Sequence, residues 1–246
     1  MSNQNQIWKL VWFELKVAPI KQGLMQLLCI IVTSFIIEMF IELIQEHGSD
    51  YKFFFMDAFL VFIVTMYPLL FRLAPFRTEN IKGDLYATSF YVYATQLPIK
   101  QDVLLLSRFI FKGLLAAVSS AVSFICVYLY PGTFQSVFKP SEFIIFLIVW
   151  MFITLTVNFQ FVSADVGSSF SKVKIAVVNI IFYSIVLLAF FIISWVTGDS
   201  LVSWTINFSK STPFLTVLAA LLLAGVSFYT GYIQAKGYVR KADYHV

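Results

Sequence analysis

The sequence predicts an all-α integral membrane protein, a single transmembrane domain over residues 1–246, and two observations support this. First, 60% of the residues are hydrophobic and 12% are charged, whereas a soluble domain is about half apolar and a quarter charged. Second, six windows are long and apolar enough for a helix to cross the hydrocarbon core, which takes roughly 20 residues. The predicted spans cover residues 23–44, 53–72, 108–130, 143–162, 173–196 and 213–234.

Ahead of the first span, the sequence predicts a short amphipathic helix over about residues 6–19. Trp8, Val11 and Trp12 recur at helical spacing on one face. Pro19 is expected to end the helix. Because the segment is too short to cross the membrane and tryptophan favours the headgroup region, we expect an interfacial helix with Trp8 and Trp12 at the membrane surface. The alternative is a frayed tail.

The distribution of basic residues predicts the orientation of the chain. Of the 17 Lys and Arg residues, 14 fall at the termini and in the second-to-third and fourth-to-fifth connections, and 3 fall on the other side. Short connections rich in Lys and Arg stay in the cytoplasm, so we expect a multi-pass protein of the plasma membrane with both termini cytoplasmic. The net charge of +4 then reflects topology and contact with membrane lipid, and no nucleic-acid partner is expected.

Five polar residues inside or beside the predicted spans form a candidate substrate path. They are Glu38, Glu42, Asp57, Asn158 and Gln160. Carboxylates within a membrane are costly, and these three share one predicted outer level, which suggests an acidic vestibule that attracts a cationic substrate. The alternative is that the carboxylates snorkel to the interface or are protonated. For the two amides, hydrogen bonding between helices is favoured over contact with substrate.

No motif of a catalytic or nucleotide-binding site is present, so the chain is not expected to be an enzyme. It has neither a phosphate-binding glycine loop nor a zinc-protease motif. His47 and His245 are predicted on opposite sides of the membrane, so no two-histidine metal site and no cofactor is expected in this chain. Cys29 and Cys126 are predicted at depths that differ by roughly 20 Å, too far for a disulfide. Because the chain has no nucleotide-binding motif, energy for any transport would come from another subunit.

The connection between the second and third spans, over about residues 77–107, is a long polar segment that must meet water. Pro98 restricts Leu97 to an extended conformation and fits the first turn of a new helix. We therefore predict two short helices on the inner surface, broken at Leu97-Pro98, that present residues 96–102 to the cytosol. Residues 96–102 are called the knuckle below.

The knuckle resembles part of the permease subunits of type-2 ABC exporters. Members of that family commonly carry a Leu-Pro pair, a small or basic residue, an acidic residue, an apolar stretch and then a Ser/Ala-Lys/Arg pair. The same order occurs here in Leu97-Pro98-Ile99-Lys100-Gln101-Asp102-Val103 and Ser107-Arg108-Phe109. The family's elbow helix resembles residues 7–18, and its basic end resembles Arg240-Lys241-Ala242-Asp243. One departure is Gln101, where the family frequently has a basic residue.

The resemblance implies a half-transporter with a cytosolic coupling helix. Its partners would be an ABC ATPase subunit that holds ATP and Mg, and a second permease, either another copy in a homodimer or a paralogue. The residues implied in ATPase coupling are Gln96, Leu97, Pro98, Lys100, Gln101 and Asp102.

The chain looks most like the permeases of staphylococci that export phenol-soluble modulins. That likeness implies export of amphipathic peptide toxins from a Gram-positive cell. Two alternatives remain open at this point. One is a permease of the same fold for lipid, polysaccharide or antibiotic, and the other is a membrane scaffold or sensor partner that transports nothing.

Overall fold

A computed structural model of the protein describes residues 3–17, 20–47, 54–70, 74–82, 85–169 and 172–242. The protein is mostly helical. The helices are α1 (Asn3–Val17), α2 (Ile20–His47), α3 (Phe54–Leu70), α4 (Ser89–Thr95), α5 (Gln101–Leu129), α6 (Thr133–Val137), α7 (Pro140–Gln160), α8 (Val162–Val166), α9 (Lys172–Thr197), α10 (Leu201–Ser211) and α11 (Pro213–Lys241). The strands are β1 (Thr78–Lys82), β2 (Leu85–Thr88) and β3 (Ser168–Ser169). Pro19, Asp243 and His245, named above, lie outside the described residues.

Within the described ranges, four helical segments are long and apolar enough to cross a membrane. They are Gly23–Glu46, Gln101–Leu129, Pro140–Val166 and Pro213–Val239. These segments coincide with four of the six predicted spans and indicate a membrane-embedded, multi-pass protein. The other two predicted spans fall on α3, a helix of 17 residues, and α9, a helix of 26 residues. That α3 and α9 also cross the membrane stays a prediction.

Helix α7 is central to the bundle, because it packs against both α5 and α11. The approach to α11 is close at Gly231, where a Cβ atom would lie 2.7 Å from the carbonyl oxygen of Phe159. Small residues let membrane helices come together in this way. One buried apolar cluster, which includes Phe146 and Trp150, joins α7 to α2, α3, α5, α6 and α10. Another, which includes Phe109, lies at the opposite end of α5.

The first helix, α1, packs against α5. Val11 and Glu14 are buried, whereas Trp8 and Trp12 are exposed. The predicted apolar face is therefore divided, because Val11 faces the protein while both tryptophans face away from it. Exposed tryptophans suit a headgroup region, but an interfacial elbow role for α1 stays a prediction.

The connection after α3 differs from the predicted pair of short helices. Strands β1 and β2 form an antiparallel hairpin with Thr78 opposite Thr88, and β2 then pairs with β3. Among the described residues of this connection, one short α-helix, α4, precedes the knuckle. The pairing of β2 with β3 brings together segments about 80 residues apart in sequence, and such a contact cannot be predicted from local periodicity. We call the end of the bundle that carries α1, this sheet and α4 the inner end, following the predicted orientation.

The start of α5 also differs from prediction, because Pro98 does not lie in its first turn. The helix begins at Gln101 with Lys100 as its N-cap residue. The backbone N–H groups of Val103 and Leu104 donate to the carbonyl oxygen of Lys100. The second short helix of the prediction is thus the first turns of a single helix of 29 residues.

Candidate functional site

The knuckle lies on the surface between α4 and α5. Gln96, Leu97, Pro98, Lys100, Gln101 and Asp102 are all exposed. The structure therefore brings all six residues of the predicted coupling site together on one exposed segment. On the α4 side, Tyr91 and Ala94 are buried in the same cluster as Phe109 of α5. The knuckle is consequently an exposed turn held at both ends by buried residues.

Asp102 connects the knuckle to the last helix. Its carboxylate lies 3.1 Å from the Lys236 ammonium and accepts a hydrogen bond of 3.2 Å from the Tyr232 hydroxyl, both in α11. The side chains of the ion pair are 60% and 40% exposed, so the pair adds little stability. The sequence points to Asp102 but not to Lys236 and Tyr232, because these partners are more than 100 residues away from Asp102 in sequence.

Behind the knuckle, α5 carries a buried arginine that pairs with α1. Arg108 Nη1 lies 2.6 Å from Glu14 Oε2, and the two side chains are 1% and 4% exposed. The guanidinium also lies 4.9 Å from the centre of the Phe90 ring, within range of a cation–π interaction. A buried charge is tolerated only when it is paired, so Arg108 fixes α1 in place on α5.

One turn further along α5, a buried lysine pairs with α8. Lys112 Nζ lies 3.0 Å from Asp165 Oδ1 and donates to the Phe161 carbonyl at 2.6 Å. The Asp165 carbonyl in turn accepts a hydrogen bond of 3.2 Å from the Thr88 hydroxyl. Thr88 also accepts from the Tyr91 N–H and so caps α4. The hairpin, α4, α5 and α8 are thus joined through polar contacts at the inner end.

Sequence reasoning missed Glu14 and Asp165 as functional partners. The sequence does contain a signal for buried ion pairs, because Arg108 and Lys112 lie four residues apart at the start of an apolar helix. Cations at that spacing lie on one face and each requires an acceptor. The sequence alone did not reveal which carboxylates supply it.

The three carboxylates of the predicted vestibule do not share one site. Asp57 is buried and accepts hydrogen bonds from the backbone N–H groups of Leu201 and Val202, at 2.5 and 3.3 Å, at the start of α10. Glu38 and Glu42 instead line a cavity of about 520 Å³ between α2, α5 and the start of α6. Asp57 is not among the residues that line it. Its observed contacts are those of a helix cap.

The two amides of the predicted path lie between helices. Asn158 is fully buried, and its Nδ2 donates to the Thr65 carbonyl of α3 at 3.0 Å. Gln160 Nε2 donates to the hydroxyls of Ser227 and Thr230 in α11, each at 2.9 Å. These contacts confirm the favoured interpretation that both amides bond helices to one another.

Neither a metal site nor a disulfide is formed by the part of the chain that the structure describes. No group of three or more His, Cys, Asp or Glu residues there is arranged to hold a metal ion. Cys29 and Cys126 are free. The inner end thus carries the exposed knuckle, and the opposite end of α2 and α5 carries the cavity.

No family model, curated protein or solved structure matches this chain. The class that the structure itself defines is a membrane-embedded, multi-pass helical protein. Its distinguishing features are the exposed knuckle and the buried ion pairs behind it.

Proposed function

We propose that this chain is the transmembrane permease subunit of an ATP-driven exporter of the type-2 ABC class. The observation that supports the proposal best is the construction of the knuckle. Its six predicted coupling residues are all exposed, and the segment continues directly into α5, one of the four membrane-length helices. A surface built in this way can receive a force from a soluble subunit and pass it into the membrane.

The proposed mechanism places ATP and Mg on a partner ATPase that docks at the knuckle. Closure of the ATPase pushes on the first turn of α5. Because Arg108 and Lys112 hold α1 and α8 to that helix, the inner end moves as one body and opens a path to the outside. Packed elements of this kind shift between discrete arrangements rather than deforming continuously.

The proposed substrate is an amphipathic peptide of the phenol-soluble-modulin type, and the proposed assembly contains two permease copies. Exposed apolar side chains along the described helices, and the cavity at the outer ends of α2 and α5, are compatible with an amphipathic cargo. Plasma-membrane location with cytoplasmic termini belongs to the same proposal, because the ATPase must meet the knuckle in the cytosol.

The first test is purification of the tagged chain from its native host in mild detergent. A soluble ATPase that copurifies in stoichiometric amount supports the exporter. Its absence, with the tagged chain intact, contradicts the exporter and favours the scaffold or sensor alternative.

The second test separates docking from folding. Pro98→Gly and Asp102→Arg should lower export and ATPase stimulation while membrane insertion stays normal. Lys236→Ala is the matched control, because it removes the ion pair of Asp102 without altering the knuckle. Normal export by Pro98→Gly and Asp102→Arg, or equal loss in the Lys236→Ala control, would contradict a coupling role for the knuckle surface.

A further inference from the structure

The cavity of about 520 Å³ lies at the C-terminal ends of α2 and α5, away from the knuckle. At 1.5 Å per residue, Glu42 is about 8 Å and Glu38 about 14 Å from the end of α2. One side of the cavity is apolar and is formed by Phe35 and Met39 of α2 and Val127 of α5. Its volume falls within the range of about 300–1,000 Å³ that is common for small-molecule sites.

The polar side of the cavity is acidic. Glu38 and Glu42 are four residues apart on α2 and therefore share a face, and both line the cavity. Among the described residues that line it, none is basic. Two carboxylates at this spacing repel each other, and a cation between them removes that repulsion.

Glu38 is held in position by the neighbouring segment. Both of its carboxylate oxygens lie 3.3 Å from the backbone N of Phe134. Gly132 passes so close that a Cβ atom there would overlap Glu38 Oε1. The carboxylate is thus fixed at the edge of the cavity by a backbone donor and a glycine, while Glu42 beside it is exposed.

We propose that this cavity binds a cationic amphiphile, with its ammonium group at Glu38 and Glu42 and its apolar tail along Phe35 and Met39. Charge complementarity selects the head group, and the apolar wall selects the tail. Phosphate or carboxylate head groups would meet two like charges at this position. The inference goes beyond the proposed exporter, because binding requires neither a partner ATPase nor transport.

Cys126 provides the readout, because it lines the cavity and is an exposed free thiol. The purified full-length chain in neutral maltoside micelles is alkylated with N-ethylmaleimide, and labelling is measured peptide by peptide by mass spectrometry. Dodecylammonium is the probe, with dodecanol and dodecanoate as the same chain carrying neutral and anionic head groups. Cys29 does not line the cavity and serves as an internal reference.

The expected result is that dodecylammonium slows labelling of Cys126, that dodecanol and dodecanoate do so much less, and that labelling of Cys29 is unchanged. Glu42→Gln should weaken the protection by dodecylammonium about fivefold, the upper end for a partly exposed ion pair. Glu46→Gln is the matched control, because it removes the same charge one turn further along α2 at an exposed position outside the cavity lining.

Two results would overturn the proposal. One is equal protection by all three dodecyl probes, which would mean that the cavity takes any apolar chain. The other is equal weakening by Glu42→Gln and Glu46→Gln, which would mean a diffuse charge effect. Thermal melting of each variant checks that it is folded. Failure to copurify an ATPase would contradict the proposed exporter and leave this binding result unaffected.

Discussion

The buried ion pair between α1 and α5 gives the sharpest test of how the inner end is held together. The change is Glu14→Leu, which removes the carboxylate 2.6 Å from Arg108 while keeping an apolar side chain of similar size. The Arg108 guanidinium, 1% exposed in the native protein, then keeps only ring contacts among those described, with Phe90 at 4.9 Å and Phe111 and Phe76 at 5.8 and 5.9 Å from the ring centres.

The expected magnitude follows from that burial. Removing one partner of a buried pair costs about 3–5 kcal/mol, because the remaining charge lies in a region of low dielectric constant. We expect the lower end, about 3 kcal/mol, because a desolvated cation–π contact contributes up to about 2 kcal/mol. The double variant Glu14→Leu/Arg108→Met should recover most of the loss, since replacing both charges by apolar groups is often neutral or stabilising.

The assay is unfolding in mixed maltoside and dodecyl sulfate micelles, followed by circular dichroism and by tryptophan fluorescence, to which Trp8 and Trp12 of α1 contribute. Asp102→Asn is the comparison, because it breaks an ion pair that is largely exposed and should leave the unfolding transition nearly unchanged. The reasoning is refuted if Glu14→Leu is as mild as Asp102→Asn. It is also refuted if the double variant is no more stable than the single one.

Three further contacts are tested by substitution in the same unfolding assay. Gly231→Ala should destabilise the protein because the added Cβ would lie 2.7 Å from the Phe159 carbonyl oxygen. Gly225→Ala is the matched control, because Gly225 has open space around it in the same helix, and this change should stabilise the protein by about 0.5–1 kcal/mol. Equal effects of the two changes would contradict the close packing at Gly231. Asp57→Ala should cost about 1 kcal/mol through loss of the α10 cap, and proteolysis near that helix should increase. Asn158→Ala should cost about 0.6 kcal/mol, and a loss near 3 kcal/mol would show that its role exceeds one bond between helices.

Much of the fold was predictable from composition and hydropathy. Four of the predicted spans coincide with membrane-length helices because a run of apolar residues is a local property that the bilayer itself selects. Exposure of the knuckle was also predictable, since residues such as Lys100 and Asp102 require water. The internal use of Asn158 and Gln160 as bonds between helices followed from the same need of buried polar groups for partners.

The errors have a common physical origin in contacts between distant parts of the chain. The hairpin of β1 and β2 is not predicted from the sequence, because β2 also pairs with β3, which comes from the segment after α8. Predicted depth places Asp57 with Glu38 and Glu42, but depth does not reveal that the start of α10 lies beside Asp57. The burial of Glu14 against Arg108 is likewise a contact between residues far apart in sequence.

The sequence by itself thus determined that the chain is a helical, membrane-embedded protein, roughly where four membrane-length helices lie, and which short segment must face water. These properties depend on each segment's own transfer between water and lipid. Only the tertiary structure decided which carboxylate pairs with which cation, and that α5, which follows the knuckle, is bound to α1 and α8. It also decided that Glu38 and Glu42 line a cavity whereas Asp57 caps a helix. Those outcomes depend on the pairing of side chains far apart in sequence, and such pairing exists only once the helices have packed.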